Sequence, residues 1–385
     1  HMNIMEAGED YLAHMGSYPV ISLTLKDAKQ PDFGLAYEAI KQQIADEYAR
    51  HQYILQDERL SAEKDRYMSI RMREADRSDY NSSIQFLSQC LEIYYGKKTI
   101  ILIDEYDVPL ENAFTQNFYN EMISFIRSLF ESAFKTNSSL EFAVITGCLR
   151  ISRESIFTGL NNLKVISILD EKYAEYFGFT PEEVRKLCDY YGLPHKYDTI
   201  QEWYNGYIFG NTNVYNPWSV IQFIDDLREN EDWFPRSYWA NTSSNTVVRK
   251  LIDMADDSVK SELENLIDGG NVEKPVHEDI TYGEVYENMD NLWNFMFFTG
   301  YFKKVGERMG EDDMRYLTLA IPNREVRYIF REKIMAWFNQ KMKERDLTRL
   351  HTAFVSKDTQ TLQEELTDIL YETISSFDES ENYYH

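Results

Sequence analysis

Apolar residues in the first third of the chain recur with two alternating periods. YPVISLTLK (Tyr18 to Lys26) is a short β-branched and aliphatic run that predicts a strand, and Leu35, Ile40, Ile44 and Tyr48 then fall at helical spacing between Phe33 and His51. The charged stretch DERLSAEKDRYMSIRMREADRSD predicts a helical excursion whose Arg66, Tyr67, Arg71 and Arg73 read as a solvated helix face. IQFLSQCLEIYY predicts an amphipathic helix from about Ser83 to Tyr95, ended by Gly96, with Lys97 and Lys98 where the helix dipole favours cations. In TIILIDEYDVPL (Thr99 to Leu110) four consecutive aliphatic residues, Ile100 to Ile103, predict a strand covered on both faces. FYNEMISFIRSLFESAFK predicts another helix, and LEFAVITG (Leu140 to Gly147) and LKVISIL (Leu163 to Leu169) predict two more strands. Strands separated by helices give an α/β fold with a parallel sheet.

The patterning then changes. Thr180-Pro181-Glu182-Glu183 joins an N-cap, Pro at the first helical position and Glu at the third, and Val184, Leu187, Cys188 and Tyr191 form one face of the helix that follows. YNGYIFGNTNVYNPWSV, dense in Tyr, Asn and Gly, reads as a ligand loop or, more plainly, as a structured connector: Gly206 and Gly210 turn the chain, Asn216 caps, Pro217 opens a helix and Trp218 fills a core. From about Glu284 an apolar helix (NLWNFMFFTGYF), two strands around the turn MGEDD and a helix capped by Asn323 fit a winged-helix-like module. Polar helices from His351 follow.

Composition narrows the function classes. With 65 acidic against 40 basic residues the formal charge is −25, which opposes non-specific binding to nucleic acid or to anionic membrane surfaces. Cys90, Cys148 and Cys188 are isolated and sit in apolar segments, which predicts small buried side chains and a reducing, cytoplasmic setting. The seven histidines show no metal-ligand spacing. No apolar run reaches the ~18 to 20 residues of a membrane helix.

The candidate chemistry lies where the Thr99 strand ends in Asp104 and Glu105. One reading is a strand that simply leaves the core into a charged turn; the alternative is the Walker B element of nucleotide-hydrolysing enzymes, whose Asp holds Mg²⁺ through its water shell and whose Glu polarises the attacking water. The partner element, G-x-x-x-x-G-K-[ST], does not occur in these 385 residues. The Gly-Lys pair at Gly96-Lys97 precedes a strand rather than following one. The chain carries half of a nucleotide site.

Four stretches, IDEYDVPLENAF (Ile103 to Phe114), TGCLRISRESIFTGLNNLKV (Thr146 to Val165), WYNGYIFGNTNVYNPWSV (Trp203 to Val220) and YWANTSSN (Tyr238 to Asn245), resemble the predicted AAA-ATPase-like proteins of bacteria. These are similar to signal-transduction P-loop ATPases and typically end in a PD-(D/E)XK nuclease-like domain. The resemblance implies a P-loop-NTPase-like α/β core with Walker B over residues 1–170, incomplete because its P-loop strand is missing. It further implies a helical lid over 171–283, the winged-helix-like module over 284–350 and a helical linker over 351–385. Carried over by position, Asp104 is the Mg²⁺ ligand, Glu105 the catalytic glutamate and Thr146 a polar sensor, although Thr146 equally suits a cap of the turn before Gly147. Arg150 and Arg153 become phosphate or finger-like contacts, or salt-bridge partners of Glu154 or of the Asp104 region. Asp107 reads as a turn-stabilising acid. The implied cofactors are Mg²⁺ and ATP, the setting is cytoplasmic, and the parent protein would use ATP to control its nuclease-like effector. Family members carry a Walker A segment of the type RPRRFGKT before the position matching Asn3 and continue past His385. Without that segment the chain is expected to be inactive alone, with a gap or altered pairing between the Leu140 and Leu163 strands. A non-catalytic scaffold that binds a protein partner or a second copy is the alternative; nucleic acid and membrane are not expected partners.

Overall fold

The computed structural model describes residues 3–148, 163–239, 246–276, 284–285, 287–311, 313–344 and 348–373. The chain divides into two compact units, residues 1–165 with 278–286, and residues 166–277 with 287–385.

In the first unit three strands, β1 (Val20–Thr24), β2 (Thr99–Asp104) and β3 (Leu140–Ile145), form a parallel sheet in the order β1-β2-β3. The register pairs Thr24 with Asp104 and Ile103 with Ile145, so the carboxyl ends of all three strands are level. Helices α1 (Phe33–Arg50), α2 (Ser83–Tyr95), α3 (Val108–Thr115) and α4 (Tyr119–Phe130) lie between them in sequence. Asp32 caps α1 through the Leu35 amide, and Gly96, at φ 68°, ends α2 in the left-handed conformation that glycine adopts freely. Leu35, expected on the buried stripe of α1, is exposed; Ala36, Ile40, Ile44, Glu47 and Tyr48 form that stripe instead. The charged excursion is helical, as the sequence predicts, but Arg66 and Tyr67 turn inward. Arg66 bonds Asp79 and Ser82 and lies over the Phe86 ring, and Tyr67 is buried with its hydroxyl donating to the Tyr48 carbonyl.

Two expectations for the sheet are corrected. β2 is buried on one face only: Thr99, Ile101 and Ile103 are buried on the side packed against α2, while Leu102 on the other face is 37% exposed, with Phe142 and Val144 of β3 at 61% and 42%. Leu163 to Leu169 is not a strand. Ser167 and Asp170 bond each other's backbone, Asp170 Oδ2 accepting the Ser167 amide at 2.7 Å, and this local turn competes with a ladder. Among the described residues β3 therefore stands at the sheet edge.

The outer edge of β1 is held by side chains. Glu47 Oε1 accepts the Ser22 amide at 2.8 Å, and Arg50 and His51 donate to the Val20 carbonyl at 2.6 and 3.1 Å. Burial alone would push the Glu47 carboxyl up, but bonds from Arg50, His51 and the Ser22 amide overcome it and hold Glu47 below the usual glutamate value.

In the second unit α5 (Pro181–Tyr190) starts with the expected capping box, Thr180 and Glu183 bonding each other's amides. It packs with α6 (Tyr197–Tyr204) and α7 (Pro217–Glu229) around Val184, Cys188, Ile200, Tyr204 and Phe223. Asn216 caps α7, but Trp218, expected in a core, is 49% exposed. Between α6 and α7 the hairpin β4 (Tyr207–Phe209) and β5 (Thr212–Val214) turns through Gly210. Helices α8 (Thr246–Met254) and α9 (Asp257–Ile267) precede β6 (Val272–Pro275), and α10 (Met289–Phe298) precedes the hairpin β7 (Lys303–Met309) and β8 (Arg315–Ala320) in an antiparallel sheet ordered β6-β8-β7. All six residues from Leu292 to Phe297 in α10 are buried. The long α11 (Arg324–Glu344), with Asn323 accepting the Val326 amide, is followed by α12 (Thr348–Ser356) and α13 (Thr359–Thr373). Glu325, in the first turn of α11, is fully buried, accepts the Ser219 hydroxyl and the Trp239 amide, and is pushed above the usual carboxyl value by that burial.

Candidate functional site at the end of the central strand

β2 delivers Asp104 to the carboxyl end of the parallel sheet, where open α/β sheets gather ligands. The ladder to β3 continues one step past the strand, Thr146 donating its amide to the Ile103 carbonyl at 2.9 Å and Tyr106 donating to the Thr146 carbonyl at 3.1 Å. This brings Thr146 beside Asp104, and the Thr146 hydroxyl donates to Asp104 Oδ1. The same oxygen accepts the Glu105 amide at 3.1 Å. Oδ2 of Asp104 takes no hydrogen bond from the described residues.

Glu105 has φ 54°, in the left-handed region that costs a non-glycine residue roughly 1–2 kcal/mol. The strained backbone turns the chain sharply after Asp104 into the first turn of α3. Asp107 is buried and its Oδ2 accepts the Cys148 amide at 2.8 Å, so the acid expected to stabilise a turn ties the segment after β2 to the segment after β3. Gly147 is required between them: a Cβ there would lie 2.6 Å from Tyr106 Cε1 and 2.7 Å from Asp107 Oδ1. Sequence reasoning gave Gly147 no role of its own; its signal was a glycine directly after a strand.

Arg150 and Arg153 lie outside the described residues. Cys148, expected to be buried, is exposed; Cys90 and Cys188 are buried.

The donors at this site suit a hydrated divalent cation. One carboxylate oxygen is fixed by Thr146 and Glu105, leaving the other for a metal-bound water. No group of three His, Cys, Asp or Glu side chains among the described residues could cage a metal, so a hard cation here needs oxygens from water and from a phosphate ligand.

Residues 2–157, which contain the whole sheet with Asp104, Glu105 and Thr146, match the family described as Predicted AAA-ATPase. An uncharacterized protein encoded in the vnfD 5′ region of Azotobacter chroococcum mcd 1 is 32% identical over 160 residues, which is 41% of this chain and 29% of that protein. The chain thus spans less than a third of the relative it matches. No solved structure matches.

Proposed function

We propose that residues 1–170 form a P-loop-NTPase-type core in which the end of β2 is a Walker B half-site for Mg²⁺ and ATP. The observation that carries this reading is the Thr146 hydroxyl bonded to Asp104 at the level end of neighbouring parallel strands. Asp104 would hold hydrated Mg²⁺, and Glu105 orients the attacking water and takes its proton. Thr146 fixes the Asp104 carboxylate and would report on the terminal phosphate, while Arg150 and Arg153 would supply phosphate or finger-like contacts. Bound Mg·ATP supplies the transferable phosphoryl group and the charge that the metal neutralises. The triphosphate grip requires a phosphate-cradling loop, which this reading places on a strand beside the β3 edge.

In the same proposal residues 171–283 are a lid, 284–350 a winged-helix-like module and 351–385 a linker toward a nuclease-like effector in the cytoplasm. Within 284–350 the order α10, β7, β8, α11, with β8 also pairing β6 from the preceding segment, supports such a module. Its role is packing rather than DNA reading. α10 is buried along six successive residues, and the hairpin cations Arg308 and Arg315 pair with Glu273 and Glu307. No helix among the described residues is long and apolar enough to cross a membrane.

The test is titration calorimetry and phosphate release on three proteins: this chain, a longer one bearing a strand and G-x-x-x-x-G-K-T loop ahead of Asn3, and the longer one with Glu105→Gln. The expected results are no substantial turnover from the first, binding and turnover from the second, and trapped ATP in the third. Micromolar binding with hydrolysis by this chain alone would place the phosphates on some other loop and overturn the half-site. The apolar sheet face with Leu102, Phe142 and Val144 exposed favours a second reading, a non-catalytic scaffold for a protein partner. That reading stands if the longer protein binds no ATP.

A further inference from the structure

The second unit contains a cavity of about 240 Å³, lined by none of the residues of the carboxylate site. Phe209, Trp239, Phe297 and Phe302 supply much of its wall, and the β4–β5 hairpin closes it with Tyr207 and Val214. Phe177, also in the lining, is exposed, so the cavity is reached from solvent on that side. Tyr207, Asn216 and Thr299 bring polar atoms, but Lys303 is the one charged residue in the lining.

The surroundings of Lys303 are unusual. Its ammonium lies 3.3 Å from the Pro322 carbonyl, and among the described residues it makes no ion pair. The charged group that acts on it is Arg327, of the same sign; burial first, and Arg327 second, push the lysine below its usual value. Half-buried lysines ordinarily find a carboxylate, because an uncompensated charge away from water is expensive. In a chain with 65 acidic residues, an unneutralised lysine on an aromatic wall leaves a place for an anion carried by the ligand. The lining is rich in aromatic residues, which suit a flat apolar body, with one cation to fix its orientation. A cavity smaller than the roughly 300 Å³ lower bound of ordinary ligand pockets holds a single fused ring with a short arm. The formal charge of −25 favours one negative charge on that arm over several.

We propose that this cavity binds a small aromatic monocarboxylate, its ring among Phe209, Trp239, Phe297 and Phe302 and its carboxylate on Lys303. The site is independent of the nucleotide reading and belongs to the second unit alone.

The experiment is titration calorimetry on the full chain with two probes that share one ring, indole-3-acetate and indole-3-ethanol. The acid should bind in the submillimolar range and the alcohol about tenfold more weakly, as expected for loss of a charge-assisted bond. Lys303→Met should lower the acid to the level of the alcohol while leaving the alcohol unchanged, and Lys303→Arg should restore the preference for the acid. Equal affinity for acid and alcohol, no heat from the acid at millimolar concentration, or an equal loss of both in Lys303→Met would each overturn the proposal. If circular dichroism shows Lys303→Met unfolded, the comparison of the two probes on the unaltered chain and on Lys303→Arg decides.

Discussion

Removing the Glu47 carboxylate tests whether the α1 clamp on β1 contributes to the stability of the first unit. Glu47 is 6% exposed; its Oε1 accepts the Ser22 amide at 2.8 Å and Arg50 Nη2 at 2.5 Å, and its Oε2 accepts Arg50 Nε at 2.8 Å. A hydrogen bond from a backbone amide to a buried charged oxygen is worth about 1.5–3 kcal/mol. The Arg50 pair must be discounted to about 0.5–1 kcal/mol, because the arginine side chain is half exposed and water replaces its partner. Glu47→Ala, which loses both and leaves the Ser22 amide without its acceptor, should cost about 2–4 kcal/mol, and Glu47→Gln, which keeps a neutral acceptor, about 1–2 kcal/mol. The sign of the pH dependence follows from the lowered carboxyl value. The stabilisation is fully present above the unfolded value of 4.5 and is lost as pH falls through the folded value, so the gap between the unaltered chain and Glu47→Gln should close in acid. All six tryptophans lie between Trp203 and Trp337, outside the first unit, so tryptophan fluorescence reports on the wrong part of the chain. The assay is hydrogen exchange on a peptide covering Tyr18 to Lys26, supported by urea unfolding followed in the far ultraviolet. A loss of protection below about 0.5 kcal/mol in Glu47→Ala, the range of an ordinary surface substitution, would refute the reasoning.

Gly147→Ala should destabilise the first unit by about 1–3 kcal/mol, since the added methyl must displace Tyr106 and Asp107; a denaturation midpoint equal to that of the unaltered chain would show the contact relaxes freely. Thr146→Val removes a half-exposed donor and should cost no more than about 1.5 kcal/mol, while abolishing turnover in the longer protein; unchanged turnover there would remove Thr146 from the site. Glu325, with its raised carboxyl value, binds its proton more tightly in the folded state, so its contribution is fully favourable below 4.5 and declines as pH rises through the folded value. The melting temperature of the unaltered chain minus that of Glu325→Gln should therefore fall between pH 4 and pH 7, and a rise would contradict the assignment.

Several elements of both units are legible because their signals are local. The helix stripes through Ile40 and Ile44, the Gly96 stop, the capping box at Thr180 and the four aliphatics of β2 each occupy a few neighbouring residues. What was misread depends on distant chain. Ile100 to Ile103 predict burial on both faces, yet whether Leu102 is covered depends on which helices reach that side of the sheet. Trp218 follows Pro217 in the first turn of α7, where the direction taken by the helix rather than hydrophobicity sets its exposure. Of the candidate site, the Asp104–Glu105 pair and its neighbour Thr146 could be read from strand ends. The left-handed backbone at Glu105 could not, because no glycine or asparagine marks it. Glu47 did leave a trace, a charged residue on an otherwise apolar helical stripe, which signals a buried partner.

The clamp on β1 also gives the sheet a direction of growth. Exposed strand edges act as templates for other chains, and β1 would be one if its outward groups were bare. Instead the Val20 carbonyl and the Ser22 amide are already engaged by Arg50, His51 and Glu47, so an incoming strand would have to break three side-chain bonds before making its own. Lengthening of this sheet, whether by a further segment of the same polypeptide or by accidental aggregation, is thereby directed to β3, the edge whose end carries Thr146. A sheet blocked on one side and extendable on the other keeps Asp104 one strand in from the growing edge, and any strand added there arrives next to Thr146 and the carboxylate it holds.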